Sequence, residues 1–195
     1  MKILIVVDMQ NDFINGTLGT PEAQAIVSLV AETIEQMAAK DVVILFTKDT
    51  HPENYMETLE GKNLPVPHCI DGTDGWMLNS EVMEAFERVR DQYCTFGTLP
   101  PFCEDHVILK PTFGSMDLQN ILFALDEYRN GAGEIEEIYL MGLCTGICVM
   151  SNAILCKATL PEVPVNVIED CCACVTPESH KTAIEAMKLC QINII

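Results

Sequence analysis

Short, uninterrupted apolar runs alternate along this chain with segments of helical spacing. The clearest runs are Ile3 to Val7, Val42 to Phe46 and Ile138 to Met141. Continuous β-branched and aliphatic runs are typical of parallel strands, which helices bury on both faces. Because each crossover between such strands is right-handed and covers the sheet, the pattern predicts an α/β fold. We expect three α/β/α layers around a doubly wound, mainly parallel sheet of about six strands.

The remaining elements continue the alternation. Further strands are predicted at Val107 to Leu109, Val165 to Ile168 and Ile192 to Ile195. Helical spacing and capping residues predict five helices: from Pro21, after a Thr20 cap, to Ala39; Glu81 to Arg90 with a Ser80 cap; a Ser115-capped helix through Leu125; Val149 to Ala158; and a helix from Pro177 through Met187. The stretch from Lys48 to Asn79 has little periodicity, and long loops of this kind are usually functional.

Length and composition indicate one globular domain over residues 1–195. A chain of 195 residues can form one sizeable core. With 49% hydrophobic and 21% charged residues, it is not a disordered protein. The formal charge of −18, from 11 Lys and Arg against 29 Asp and Glu, argues against nucleic acid or an anionic membrane as partner.

The cysteine content and the first residues bear on location. The opening apolar run ends at Asp8, so the run is too short to be the hydrophobic region of a signal peptide. Ten cysteines without a small secreted framework indicate a reducing compartment in which thiols stay free. We therefore expect a cytoplasmic protein.

Reactive side chains follow several of the predicted strands. Asp8, Asp49 and Lys110 each come at or just after a strand end, and Cys148 lies where a strand gives way to a helix. Ligands of open parallel sheets bind at this edge. Amides and the dipole at a helix start favour a thiolate, so Cys148 is expected to be more acidic than a free cysteine and to act as a nucleophile. The alternatives are a buried, inert Cys148 and an Asp8 that only caps a helix.

The long loop carries a candidate metal site. Asp49 and His51 are two positions apart in an extended segment, so both side chains can face one ion. His68 can return from the same loop as a third ligand, and Glu60 is a candidate fourth. Imidazole donors favour zinc or iron over magnesium, and we expect one divalent ion.

A second cysteine group, Cys171, Cys172 and Cys174, follows a predicted strand. A zinc site would need further ligands at a recognisable spacing, which the sequence does not offer. Buried structural cysteines are the favoured interpretation, and a metal or redox role is the alternative.

Five ordered motifs are spread over nearly the whole chain: VVDMQNDF with Asp8, TKDTH, PHC ending at Cys69, LKPTFGSM with Lys110, and GLCTGICV with Cys148. With these motifs the chain resembles the isochorismatase-like cysteine hydrolases, and most of all the nicotinamidases and related amidases. The resemblance implies a doubly wound three-layer fold, a catalytic triad of Asp8, Lys110 and Cys148, and a divalent ion on Asp49, His51 and His68.

The resemblance also implies how the triad reacts. Asp8 would be the general base, Lys110 would hold the thiolate, and Cys148 would attack an amide carbon to form a thioester. The oxyanion would be bound by the backbone amides of Cys144 and Cys148, beside a cis peptide between Leu143 and Cys144.

Two departures from the family pattern concern the substrate. Gly146 stands where many members have an aspartate, and Leu64, Pro65 and Val66 occupy the stretch where nicotinamidases carry a ring-stacking tryptophan. Phe13 matches the opposite aromatic wall. Trp76 either replaces the missing ring or packs in the core, and the core is favoured.

The leading hypothesis is therefore an amidohydrolase that cleaves nicotinamide or a similar small carboxamide to the acid and ammonia. One alternative is an N-carbamoyl or ureido amidohydrolase, although Arg88, Arg90 and Arg129 all lie outside the motifs. The other is a non-enzymatic, thiol-rich metal or redox-responsive binding protein. We expect a small-molecule amide as partner and assembly as a homo-oligomer.

Overall fold

The computed structural model describes residues 1–38, 42–94, 106–127 and 134–195. A six-stranded, all-parallel sheet runs through its centre in the order β3-β2-β1-β4-β5-β6. The strands are β1 (Lys2–Val7), β2 (Val42–Asp49), β3 (Val107–Lys110), β4 (Glu137–Leu143), β5 (Val165–Ala173) and β6 (Asn193–Ile194). This order is that of a doubly wound sheet, with the reversal at β1 and β4, so the predicted fold class is confirmed.

Helices connect the strands. They are α1 (Asn11–Ile14), α2 (Pro21–Ala25), α3 (Val27–Ala38), α4 (Leu59–Asn63), α5 (Ser80–Cys94), α6 (Met116–Glu127), α7 (Met150–Thr159) and α8 (Pro177–Leu189). A short 3-10 helix (Tyr55–Glu57) precedes α4, and a π-helical turn (Thr145–Val149) precedes α7. In the described ranges, no helix combines the length and apolar character needed to cross a membrane.

The core forms around the central strand β1. Ile3, Leu4, Ile5, Val6 and Val7 have no solvent exposure, because neighbouring strands lie on both sides and helices cover both faces. The parallel register pairs Val7 with Thr47 and with Gly142, and pairs Asp49 with Lys110. The carboxyl ends of four neighbouring strands therefore meet at one edge.

Several predicted boundaries were wrong because tertiary contacts extend or interrupt the local pattern. β2 continues to Asp49 and β5 to Ala173, so Cys171 and Cys172 lie inside a strand instead of after it. The single helix predicted after Thr20 is two helices separated at Ile26, and its predicted end at Ala39 lies outside the described residues.

Helix caps were predicted with mixed success. Thr20 accepts a hydrogen bond from the Ala23 amide at 3.0 Å, and Ser115 accepts one from the Leu118 amide at 3.1 Å, as predicted. Ser80 does not cap its helix. The preceding residue, Asn79, accepts from the amide of Glu81 at 3.0 Å and is the cap.

Candidate active site and metal site

The three predicted triad residues lie together and are buried. Asp8 follows β1, Lys110 ends β3, and Cys148 lies in the π-helical turn after β4. Lys110 Nζ is 2.7 Å from Asp8 Oδ2 and 3.5 Å from Cys148 Sγ. Asp8 Oδ1 also accepts a hydrogen bond of 2.7 Å from the Thr47 hydroxyl. A nucleophile, a cation and a carboxylate are thus in mutual contact, which is the arrangement that general-base activation of a thiol needs.

Backbone conformation brings β1 and β4 close enough for this contact. Gly142 has a φ of +121°, and a Cβ at this position would collide with the carbonyl oxygen of Val7. Only glycine satisfies both requirements at low cost. Asp8 itself has a φ of 49°, an uncommon conformation for a residue with a side chain.

Burial and charge set the ionisation of the triad. Desolvation raises the pKa of Asp8, and the ion pair with Lys110 only partly opposes it. For Lys110, burial favours the neutral amine, but the carboxylates of Asp8 and Asp49 outweigh it and the pKa lies above its ordinary value. Lys110 therefore remains a cation, and Asp8 is a stronger base than an exposed aspartate.

The expectation that Cys148 is more acidic than a free cysteine is wrong for this structure. Burial raises the pKa of the Cys148 thiol well above its ordinary value, and the negative charge of Asp8 raises it further, while Lys110 opposes both. The predicted helix start is a π-helical turn within a buried site, so desolvation outweighs the dipole. The Cys148 side chain is therefore a thiol in the resting protein.

The turn that carries Cys148 is held by hydrogen bonds that the sequence did not reveal. The peptide between Leu143 and Cys144 is cis, as the resemblance implied. Asn152, one turn beyond Cys148, donates to the carbonyl oxygens of Cys148 at 2.8 Å and Phe113 at 3.1 Å. It thereby links the nucleophile turn to the loop that follows Lys110.

Thr145 begins the π-helical turn and is buried. Its hydroxyl lies 2.8 Å from Nδ1 of His180 on α8, so it connects the turn to a neighbouring helix.

All four candidate metal ligands converge. One donor atom each from Asp49, His51, Glu60 and His68 lies within 4.8 Å of the others. His51 Nε2 is 3.1 Å from Asp49 Oδ2 and 3.6 Å from Glu60 Oε1. Metal–ligand bonds of about 2.0–2.2 Å separate neighbouring donors by roughly 3 to 3.6 Å, so this donor set suits a transition-metal ion.

The orientation of His68 supports the same conclusion. Its Nδ1 lies 2.8 Å from the Val66 carbonyl oxygen, which can only accept a hydrogen bond. Nδ1 must therefore carry a proton, and the lone pair of neutral His68 is on Nε2, which faces Asp49 at 3.7 Å. A backbone carbonyl that orients a ligand histidine in this way is common in metal sites.

Two buried polar residues of the opening motif support the metal cluster and were not predicted. The Gln10 side chain accepts from the Asp49 amide at 2.7 Å and donates to the Asp49 carbonyl at 2.8 Å. The Asp12 carboxylate accepts a hydrogen bond from the Cys69 amide at 2.7 Å. This contact holds the backbone directly after His68. The sequence feature that could have identified both residues is their polar character directly after a central buried strand.

A cavity of about 280 Å³ adjoins both sites. Phe13 lines it, as the resemblance implied, and its ring centroid is 5.5 Å from that of His68. Further walls that the sequence did not predict come from other segments: Leu18, Leu64, Phe113, Leu143, Ile147, Cys174 and Val175.

Trp76 is half-buried and is not among the described residues that line this cavity. Its indole Nε1 donates to the Thr50 hydroxyl at 2.9 Å, and the buried Lys48 ammonium lies over its ring. Trp76 thus packs against the protein, and Leu64 lies on the cavity wall.

The second cysteine group divides between core and cavity. Cys171 contacts the Thr33 hydroxyl of α3 at 3.3 Å, and burial raises the pKa of Cys172 to about 12. Cys174 instead lines the cavity with Cys144 and Cys148.

Comparisons with known proteins agree with this geometry. The Isochorismatase domain family matches residues 2–195. The nicotinamidase of Escherichia coli (strain K12) is 24% identical over 199 residues, which cover 96% of this chain and 90% of that protein. The pyrazinamidase of Pyrococcus horikoshii, solved in complex with zinc, has a TM-score of 0.73 and 26% identity, covering 100% of this chain and 98% of that one.

N-carbamoylsarcosine amidase of Thermoplasma acidophilum shares the fold, with a TM-score of 0.70 and 24% identity over 99% of this chain and 94% of that one. The family match covers nearly the whole chain, and the relatives are amidases. The chain therefore belongs to the isochorismatase domain family.

Proposed function

We propose that the protein is a cysteine amidohydrolase that converts a small carboxamide, nicotinamide in the first instance, to the carboxylic acid and ammonia. The observation that carries this proposal is the buried contact of Cys148 with Lys110, and of Lys110 with Asp8, beside a small cavity. A cysteine nucleophile and the other free cysteines suit the reducing cytoplasm.

Asp8 accepts the Cys148 proton while the sulfur attacks the carbonyl carbon of the amide. Lys110 keeps its charge throughout and stabilises the developing thiolate and the carboxylate of Asp8. The amides of Cys144 and Cys148 are the proposed donors to the oxyanion of the tetrahedral intermediate. Collapse of the intermediate breaks the C–N bond, and Asp8 returns the proton to the leaving ammonia.

The thioester that remains on Cys148 is then hydrolysed. Asp8 takes a proton from a water molecule, the hydroxide adds to the thioester carbon, and the C–S bond breaks to release the acid. The proton returns to the thiol, so one water is consumed and the enzyme is regenerated.

Asp49, His51, Glu60 and His68 would hold the proposed zinc or iron ion. When bound, the ion supplies a Lewis acid to which a substrate ring nitrogen, a carbonyl oxygen or water can coordinate. Asp49 also lies 3.2 Å from Lys110 Nζ, so the same carboxylate orients the triad lysine.

The amidase proposal is tested by ammonia release from nicotinamide and by mass spectrometry of the rapidly quenched enzyme. Wild type should release ammonia and carry an acyl adduct on the peptide that contains Cys148. Cys148→Ala should lose both signals while keeping the wild-type circular dichroism spectrum, which shows that the fold is intact. Full turnover by Cys148→Ala would contradict the covalent mechanism.

The metal proposal is tested by elemental analysis of purified protein. Wild type should contain one equivalent of zinc or iron, and a His51→Ala, His68→Ala double variant should lose it, because two imidazole donors are removed. His180→Ala, which changes a histidine outside the cluster, should retain the ion. Retention by the double variant, with loss on replacing Cys171, Cys172 and Cys174, would assign the metal to the cysteines.

A further inference from the structure

The charged side chains that line the cavity are all acidic. Among the described lining residues these are Asp49 and Glu60, and none is lysine or arginine. The nearest cation, Lys110, already lies 2.7 Å from Asp8 and 3.2 Å from Asp49. A second, anionic group on a substrate would therefore find no free positive charge in this part of the structure.

A divalent ion held by the cluster would bring two positive charges, which the carboxylates of Asp49 and Glu60 would offset. Asp8 likewise offsets Lys110. The reactive carboxamide must lie at Cys148, so the rest of the acyl group lies along the walls of the cavity beside it.

Those walls are apolar up to the rim. Leu64, Phe113 and Val175 are 39%, 44% and 57% exposed, and all three line the cavity. They come from three separate segments, after α4, β3 and β5. Large apolar side chains left in solvent around one opening indicate a surface that an apolar ligand covers. An anion placed there would lose its hydration without gaining a partner.

The shape of the cavity limits the acyl group further. Its volume of about 280 Å³ corresponds to a small molecule. Phe13 provides an aromatic wall on which a planar ring can stack. Leu64 is aliphatic, so it can pack against a planar or a non-planar group. A branched aliphatic group can therefore replace an aromatic ring.

We propose that the site selects neutral carboxamides with a compact, apolar acyl group, aliphatic or aromatic, and excludes amides that carry a second, anionic group, N-carbamoyl acids included. This inference rests on the proposed amidase function and defines its substrate class. It applies to the acyl side of the amide, since the leaving group is ammonia.

Matched pairs of amides test the proposal. Initial rates of ammonia release give kcat/KM for butyramide against succinamate, and for benzamide against 4-carbamoylbenzoate, with nicotinamide as reference. Within each pair the neutral amide should be preferred by at least about 100-fold, because the carboxylate is desolvated without a partner. Butyramide should be cleaved at a measurable rate.

A variant at the rim of the cavity tests whether the lack of a positive charge causes the selectivity against anionic amides. Val175→Arg adds a cation at the rim and should raise kcat/KM for succinamate about 10-fold or more relative to butyramide. Leu189→Arg, which adds the same charge at the exposed end of α8 and away from the cavity lining, should leave this ratio at the wild-type value.

The outcomes separate the two proposals. If wild type cleaves nicotinamide but also cleaves succinamate as well as butyramide, the substrate class is wrong and the amidase function stands. If the folded enzyme releases ammonia from none of the amides, nicotinamide included, the amidase function itself is wrong.

Discussion

At the scale of single residues, the site is governed by the ionisation of three buried groups in contact. Cys148 is close to both a carboxylate and an ammonium, and the two have opposite effects on its pKa. The cost of burying a thiolate exceeds the stabilisation from Lys110, so the resting Cys148 side chain is a thiol. The nearby carboxylate of Asp8 makes this thiol less acidic, and in the proposed mechanism the same carboxylate is the base that removes its proton.

Alkylation of the resting enzyme tests this balance. With limiting iodoacetamide at pH 7, the exposed Cys190 should be labelled before Cys148, and Cys148 labelling should keep rising above pH 9, because its pKa is raised. Asp8→Asn should move the Cys148 profile to lower pH, since it removes a negative charge, while abolishing ammonia release. Peptide mapping by mass spectrometry reads both cysteines.

Cys190 serves as the internal control, because its profile should not change in Asp8→Asn. A Cys148 profile that stays in place, or moves to higher pH, would contradict the electrostatic role given to Asp8.

At the scale of elements, helix caps and strand ends hold the site residues in position. Some of these caps differ from those that the sequence predicted. α5 begins at Ser80, directly after the loop that carries the metal ligands. The Asn79 amide donates to the Met9 carbonyl at 2.8 Å, so this cap also joins the loop to the residue that follows Asp8.

Asn79→Ala should lower the free energy of unfolding by about 1 kcal/mol, because the amides of Glu81 and Val82 lose their acceptor. Ser80→Ala should change it by less than about 0.5 kcal/mol. Urea unfolding followed by circular dichroism measures both. The reverse order of effects would restore Ser80 as the cap.

At the scale of the whole molecule, the buried thiols make stability depend on pH. Burial raises the pKa of Cys144, Cys156 and Cys172 to about 12 each. In the unfolded chain a cysteine thiol has a pKa of about 8.5. Between this pH and the native pKa, the native state therefore binds more protons than the unfolded state. Their contribution is fully present below about pH 8.5 and is lost as the pH rises toward 12.

The free energy of unfolding, measured with urea in reducing buffer, should therefore fall between pH 7.5 and pH 10, by up to about 1.4 kcal/mol per pH unit for each buried thiol once the pH exceeds the unfolded pKa. Cys156→Ala should be less stable at pH 7.5, because it creates a cavity in α7, but should show a shallower loss with pH. Cys190→Ala should keep the wild-type slope. Parallel slopes for Cys156→Ala and wild type would contradict the assignment.

The sequence alone predicted the parallel sheet, the edge of the sheet that carries the candidate site, and the residues that gather at this edge. Continuous apolar runs identify buried parallel strands wherever they occur, and the reactive groups follow those strands directly, so Asp8, Lys110 and Asp49 could be placed without coordinates. The same reasoning brought His51, His68 and Glu60 to one site, because i, i+2 geometry and a returning loop are local properties.

Only the tertiary structure decided the sign of the Cys148 pKa shift, the cap at Asn79, the supporting contacts of Gln10 and Asn152, and the walls of the cavity. Each depends on segments distant in sequence. Desolvation is a sum over all neighbours, and a wall exists only where side chains from separate loops meet. Local patterns determine which residues can react, and long-range packing determines their protonation and which substrate reaches them.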